Sequence, residues 1–199
     1  PDFRWLIIGP KKSGSSFHID PNGTSAWNAV IKGAKKWVLF PPSCVPPGIH
    51  PSTDGLDLAA PVSIMEWFMN YYQTHKQKNS SKFKGKMLEC VVKEGEVLFV
   101  PRGWWHCVLN LDFTIAITQN FVSRVNLSYI LNFLRDNPSN ISGLPLSERP
   151  LLYEKFLGEL KSFVEGKNSS DTILRNEVRR TVENHRKKSK TERKEKKEQ

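Results

Sequence analysis

Cysteine is scarce in this chain: Cys44, Cys90 and Cys107 are the three among 199 residues. So few, so widely spaced, exclude a disulfide scaffold and a thiolate-based zinc cluster, and suit a reducing compartment. Long apolar runs are missing as well. No stretch approaches the ~18 uninterrupted apolar residues that a membrane-spanning helix needs. The opening residues Pro1-Asp2-Phe3-Arg4 contain neither a Met nor a signal-type pair of charged and apolar segments, so the chain reads as a fragment or a processed product. No internal repeat recurs at a useful period, which excludes a solenoid.

Aromatic residues are plentiful. Eleven Phe, six Trp and four Tyr rule out disorder throughout and supply the core of one domain of ordinary size. The formal charge is +10 at pH 7, and its distribution matters more than its size. Residues 179–199 hold ten Lys/Arg against four Glu, so the remainder is only mildly basic. Nothing apolar follows Val182, and 183–199 reads as a basic disordered tail. Such a tail attracts phosphate but offers no aromatic for stacking, so any nucleic-acid contact would be weak and salt-sensitive. A nuclear-import signal and a plain solvated extension, coiled or helical, are the other readings of the same run.

Short apolar runs broken by Gly and Pro dominate residues 1–121, which is the pattern of strands. The first three are Trp5–Ile8 before Gly9-Pro10, Ser16–Asp20 before Pro21-Asn22-Gly23, and Lys36–Phe40 before Pro41-Pro42. One helix interrupts them: Ser63-x-x-Glu66 is a capping box, and Ile64, Trp67, Phe68, Tyr71 and Tyr72 recur at helical spacing. A Lys/Ser-rich loop at 76–86 leads into strands at Leu88–Val92, Val97–Val100, Trp105–Leu111 and Thr114–Phe121. From Asn126 the period turns helical through Leu127, Ile130, Leu131 and Leu134. A second helix is expected from about Ser147 to Gly166, and Asp171 caps a third. The predicted fold class is an all-β core, a double-stranded β-helix or jelly roll of the cupin kind, with an inserted helix and a helical C-terminal extension. The expected boundaries are a core over 1–122 with an insert at about 43–87, a helical extension over 123–182 and the tail beyond.

His18-Ile19-Asp20 is the sharpest local feature. In a strand, side chains at i and i+2 share a face, so the imidazole and the carboxylate project together. His106, introduced by Pro101-Arg102-Gly103-Trp104-Trp105, is the candidate third member. Two His and one carboxylate make the facial triad of non-haem Fe(II) oxygenases, which leaves open positions for co-substrate and dioxygen. The same residues also have a plainer reading, as a strand-end cap, a turn opener and a packed core histidine.

Three blocks of sequence tilt that choice. Gly14 to Val30, Gly95 to Leu111 and Thr114 to Phe121 resemble the Jumonji-C oxygenases. The resemblance is strongest to the branch of the bifunctional, phosphatidylserine-receptor-like arginine demethylase and lysyl-hydroxylase and its F-box-linked relatives. It covers about residues 3–122 and implies a Fe(II)- and 2-oxoglutarate-dependent dioxygenase that uses O2. His18, Asp20 and His106 would be the iron ligands. The lysine that meets the distal carboxylate of 2-oxoglutarate falls on Lys35, the hydroxyl donor of the last core strand on Thr118, and a second hydroxyl on Ser15 in place of a threonine. Asn28 and Asn120 fall on asparagines of the same pocket. Strand parity agrees for Lys35, because Lys35, Trp37 and Leu39 share one face while Lys36 takes the other. The family's upstream strands and a tyrosine hydroxyl for 2-oxoglutarate find no match here, nor does the branch's polyserine region. The implied substrates are proteins with Lys or Arg side chains, hydroxylated at lysine or demethylated at methylarginine, on histone or RNA-associated proteins. The basic tail makes the nucleus the expected compartment, with the cytoplasm as a second. The alternative is a non-catalytic cupin-type scaffold that holds chromatin or RNA through its basic tail.

Overall fold

The computed structural model describes residues 4–52, 58–61, 63–73, 87–166 and 172–198. The loop expected at 76–86 and the Asp171 cap lie outside the described residues. Two compact units are present, one from Pro1–Asp20 and Thr24–Phe121, the other from Pro21–Gly23 and Val122–Gln199.

The first unit is built from two four-stranded antiparallel sheets. One has the order β1 (Arg4–Gly9), β10 (Thr114–Phe121), β3 (Ser25–Lys32), β8 (Val97–Val100). The other runs β2 (Gly14–His18), β9 (Trp105–Asn110), β4 (Ala34–Phe40), β7 (Leu88–Lys93). Neighbours far apart in sequence and a long crossover between the early and late strands give the jelly-roll arrangement that the alternating runs predict. A short pair, β5 (His50–Pro51) and β6 (Leu58–Ala59), lies in the insert.

The second sheet is buried on both faces. Trp37, Leu39, Val92 and Val108 meet Ala26, Val30 and Val100 of the first sheet in the interior. Val38, Phe40, Trp105 and Cys107 point the other way and pack with Phe17, Ile64 and Trp67. Burial on both sides is why Trp37-Val38-Leu39-Phe40 reads as an unbroken apolar run instead of an alternation. Each large apolar side chain buried there contributes about 1.5–3 kcal/mol. The covering helix α1 (Ile64–Trp67) continues as a wider turn over Phe68–Tyr72, and its cap forms as expected, with Glu66 N donating to Ser63 Oγ at 3.1 Å.

β3 is absent from the strands expected from apolar runs. Its interior positions are Ala26, Asn28 and Val30, small or polar in two cases out of three, so its period-two burial is hidden in the hydropathy. β2 stops at His18, where it pairs with His106, instead of reaching Asp20. The β3–β4 turn needs Gly33: it sits at φ 82°, and a Cβ there would lie 2.4 Å from the Phe113 carbonyl oxygen. The turn passes the chain from one sheet to the other, and β4 takes its register from β7 and β9, where Lys35 stands opposite Val92 and Asn110.

The second unit packs α2 (Leu127–Asp136), α3 (Arg149–Glu165) and α4 (Thr172–Glu198) around Leu127, Leu131, Leu157, Val164, Val178 and Val182. Asn22 joins it by bonding Ser142 in both directions, Ser142 N to Asn22 Oδ1 at 2.9 Å and Asn22 Nδ2 to Ser142 O at 3.2 Å. The sequence reading ends order at Val182, but α4 continues to Glu198. His185 is 3% exposed, with Tyr153 Oη 3.0 Å from its Nε2. Lys, Arg and Glu are strong helix formers, so a segment with no apolar face can still extend a helix that is nucleated by packing upstream.

Candidate metal centre and its cavity

β2 and β9 run antiparallel with His18 directly opposite His106. Asp20 follows two residues after His18, in the segment that leads to the Pro21-Asn22-Gly23 turn. One ligand atom from each of the three lies within 4.8 Å of the others, and His106 Nε2 is 3.9 Å from Asp20 Oδ1.

The imidazoles are held in one tautomer. His18 Nδ1 is 2.8 Å from the Ser16 carbonyl oxygen, and His106 Nδ1 is 3.0 Å from that of Trp104. A carbonyl only accepts, so each Nδ1 carries the hydrogen and each Nε2 presents a lone pair. Burial, followed by the proximity of His18, lowers the His106 pKa from 6.5 to about 4, against the opposing pull of Asp20. His106 is therefore neutral near pH 7, as a metal ligand must be. Trp37 stacks beside it, with centroids 5.9 Å apart at 27°.

These groups open into a cavity of about 760 Å³ between the sheets. All eight candidate residues line it: His18, Asp20 and His106, with Ser15, Asn28, Lys35, Thr118 and Asn120. Lys35 is 3% exposed, in accord with its strand parity, and burial pushes its ammonium below the ordinary lysine range. Lys36 points away and pairs with Glu89 at 2.6 Å. Thr118 Oγ1 donates to the Trp27 carbonyl at 2.9 Å, and Asn120 Nδ2 donates to Thr24 Oγ1 at 2.9 Å. In this structure, then, the Thr118 hydrogen is committed to the backbone.

Three buried polar atoms on the cavity wall have no hydrogen-bond partner among the described residues: Asp20 Oδ2, Asn28 Oδ1 and Trp37 Nε1. Buried polar groups are nearly always satisfied, so a cluster of orphans around one cavity marks a place for a polar occupant. The donor set fits a divalent cation: two oriented nitrogen lone pairs and a carboxylate with an oxygen to spare. Lys35, buried and facing no carboxylate among the described residues, fits an anionic group.

The sequence reading does not single out Asn110, Ser13 or Trp37, which also line the cavity. Asn110 accepts from Lys35 Nζ at 3.0 Å. The available signal was parity, since positions 106, 108 and 110 share one face of β9.

Residues 4–126 match the family described as a cupin-like domain. The chain belongs to that family. Among curated proteins, this cupin-like chain is 58% identical over 156 residues to an arginine-specific demethylase, JMJ22, of Arabidopsis thaliana, covering 78% of this chain and 30% of that protein. It is 35% identical over 187 residues to the bifunctional arginine demethylase and lysyl-hydroxylase psr-1 of Caenorhabditis elegans, covering 86% of this chain and 44% of the relative. With the 2-oxoglutarate and iron-dependent oxygenase JMJD4 of Homo sapiens it shares 35% identity over 134 residues, 67% of this chain and 30% of the other. The cupin-like chain thus spans less than half the length of these relatives.

Proposed function

We propose that the chain carries the catalytic site of a Fe(II)- and 2-oxoglutarate-dependent dioxygenase that hydroxylates or demethylates protein side chains. The observation that carries this reading is a His-Asp-His ligand set within 4.8 Å in the same cavity as a buried lysine with no counter-charge among the described residues. Relatives named as arginine demethylases, a lysyl-hydroxylase and iron-dependent oxygenases support it. When bound, iron and 2-oxoglutarate supply oxidation: dioxygen is consumed, 2-oxoglutarate loses CO2 to become succinate, and the second oxygen atom goes to a substrate C–H bond.

The protein's residues prepare that chemistry. His18, Asp20 and His106 would hold the metal, their ligand atoms lying within 4.8 Å of one another beside the cavity. The carbonyls of Ser16 and Trp104 fix both imidazoles before the metal arrives, which removes a reorganisation cost. Lys35 would meet the distal carboxylate, and Ser15 lines the same cavity with a hydroxyl. Asn28 and Trp37 offer an acceptor and a donor to polar groups in the cavity. Val100, Val108 and the Trp37 ring keep the wall apolar and limit water around the reacting atoms. A hydroxyl placed on a carbon attached to nitrogen leads to loss of formaldehyde, which is demethylation; on a lysine carbon it remains.

Anaerobic loading with Fe(II) and 2-oxoglutarate should give a visible charge-transfer band. A folded protein with no band refutes the oxygenase reading. Mass spectrometry of treated peptides then separates lysine gaining one oxygen from methylarginine losing a methylene. We place the protein in the nucleus, with histone or RNA-associated substrates, on the strength of the Lys/Arg run at 186–197. A reporter fused to that run and found only in the cytoplasm would exclude this.

A further inference from the structure

Asn110 is as deeply buried as Lys35, each at 3% exposure, and they face each other across the β4–β9 ladder. Lys35 Nζ donates to Asn110 Oδ1 at 3.0 Å. The other end of the amide is fixed: Asn110 Nδ2 donates to Ser13 Oγ at 2.9 Å, and that hydroxyl donates to the Pro10 carbonyl at 2.6 Å. The backbone ties the same point twice more, Asn110 N to Ser13 O and Lys12 N to Asn110 O, both at 2.8 Å. Because Ser13 has given its hydrogen to Pro10, it can only accept from Asn110. Flipping the amide would set two donors, Nδ2 and the ammonium, against each other. Gly9 closes the arrangement from behind: a Cβ there would lie 2.6 Å from both Asn110 Nδ2 and Ser13 Oγ.

An amide oxygen satisfies one hydrogen of the ammonium and leaves its charge intact. A buried charge without a counter-charge is costly, and the protein supplies none among the described residues. We propose that Asn110 is a positioning residue that makes the cavity selective for a keto acid with a second carboxylate, by seating Lys35 without neutralising it. This rests on the iron and 2-oxoglutarate reading above. The ligand's distal carboxylate then provides the counter-charge that the fold withholds.

Asn110→Asp places a carboxylate beside Lys35 and should act differently on two ligands. 2-Oxoglutarate binds about 100-fold more weakly, because its distal carboxylate meets a neutralised lysine and a like charge. A residue that merely supports the fold would, when replaced, weaken every ligand of the cavity together with stability. Oxalate, which offers two chelating oxygens and no distal arm, should bind alike in wild type and variant. Gly9→Ala tests the same point without adding a charge, by displacing the amide; it should weaken 2-oxoglutarate and spare oxalate.

The experiment is calorimetric titration of the Mn(II)-loaded full chain with 2-oxoglutarate and with oxalate, alongside melting of the ligand-free proteins. Selective loss of 2-oxoglutarate, with oxalate spared, in a folded Asn110→Asp bears the inference out. Equal 2-oxoglutarate affinity in wild type and both variants, or an equal loss of 2-oxoglutarate and oxalate in Asn110→Asp, overturns it and leaves the proposed function standing. A wild-type protein that binds oxalate but shows no preference for 2-oxoglutarate overturns both.

Discussion

Replacing Asp20 with Asn should make the metal-free protein more stable and its metal response vanish. Asp20 Oδ2 is buried without a partner among the described residues, and Oδ1 faces His106 Nε2 at 3.9 Å. Both of those facing atoms are acceptors, since His106 has its hydrogen on Nδ1. An amide at this position can turn Nδ2 toward the imidazole and convert a repulsive approach into a hydrogen bond. A hydrogen bond gained is worth about 1 kcal/mol, and relief of an unsatisfied buried acceptor about 1–3 kcal/mol, only part of which is recovered because the amide keeps one oxygen. A net gain of roughly 1–2 kcal/mol corresponds to a rise in Tm of about 2–8 °C for a chain of this size. Wild type, in contrast, should gain about 2.7 kcal/mol when free Mn(II) stands about 100-fold above its Kd. The assay is thermal denaturation of both proteins with chelator and with Mn(II), near neutral pH. A variant that melts below wild type in chelator, or that keeps the wild-type shift with Mn(II), would refute the assignment of Asp20 as a ligand held ready at the expense of stability.

Acid should weaken the metal-free protein through His106. Its pKa is about 4 in the folded state against 6.5 ordinarily. The unfolded chain takes up a proton below about pH 6.5 that the native chain refuses until about pH 4, so stability is full above that window and falls across it by about 3 kcal/mol. Urea unfolding at about pH 7 and about pH 5 should show a larger loss for wild type than for His106→Gln; equal losses would place the titration elsewhere. Lys35→Met should raise the 2-oxoglutarate requirement about 100-fold or more, because a buried carboxylate would be left without its cation. Mn(II) binding should stay unchanged, and an unaltered 2-oxoglutarate requirement would move the distal carboxylate to another group.

What the sequence makes legible here follows from which structural relations are local. The i, i+2 rule puts His18 and Asp20 on one side because two peptide units fix their geometry, and parity alone separates Lys35 from Lys36. Periodicity fails where a strand's interior residues are polar or small, as in β3, where Asn28 serves the cavity instead of the core. It also fails where both faces are apolar: in β1, Leu6 and Ile8 are 64% and 56% exposed on one face, so Trp5-Leu6-Ile7-Ile8 gives no hint of which side lines the cavity. The end of α4 is missed for a different reason, since packing decides where a helix starts while propensity decides how far it runs.

Asn110 marks the deeper limit. Parity gives its face, but its role depends on the row in which β9 meets β4, the register that also pairs His106 with Leu39. Register is a long-range property: Lys35 and Asn110 are 75 positions apart in the chain. A single sequence contains the residues of such a pair without the information that they face each other. Once the register is known, the chemistry follows from the atoms alone. A neutral amide gives a buried ammonium a hydrogen bond and no counter-charge, and Lys35 stands four register rows along β4 and β9 from His106, which under the proposed function spaces the distal carboxylate of the ligand from the metal site.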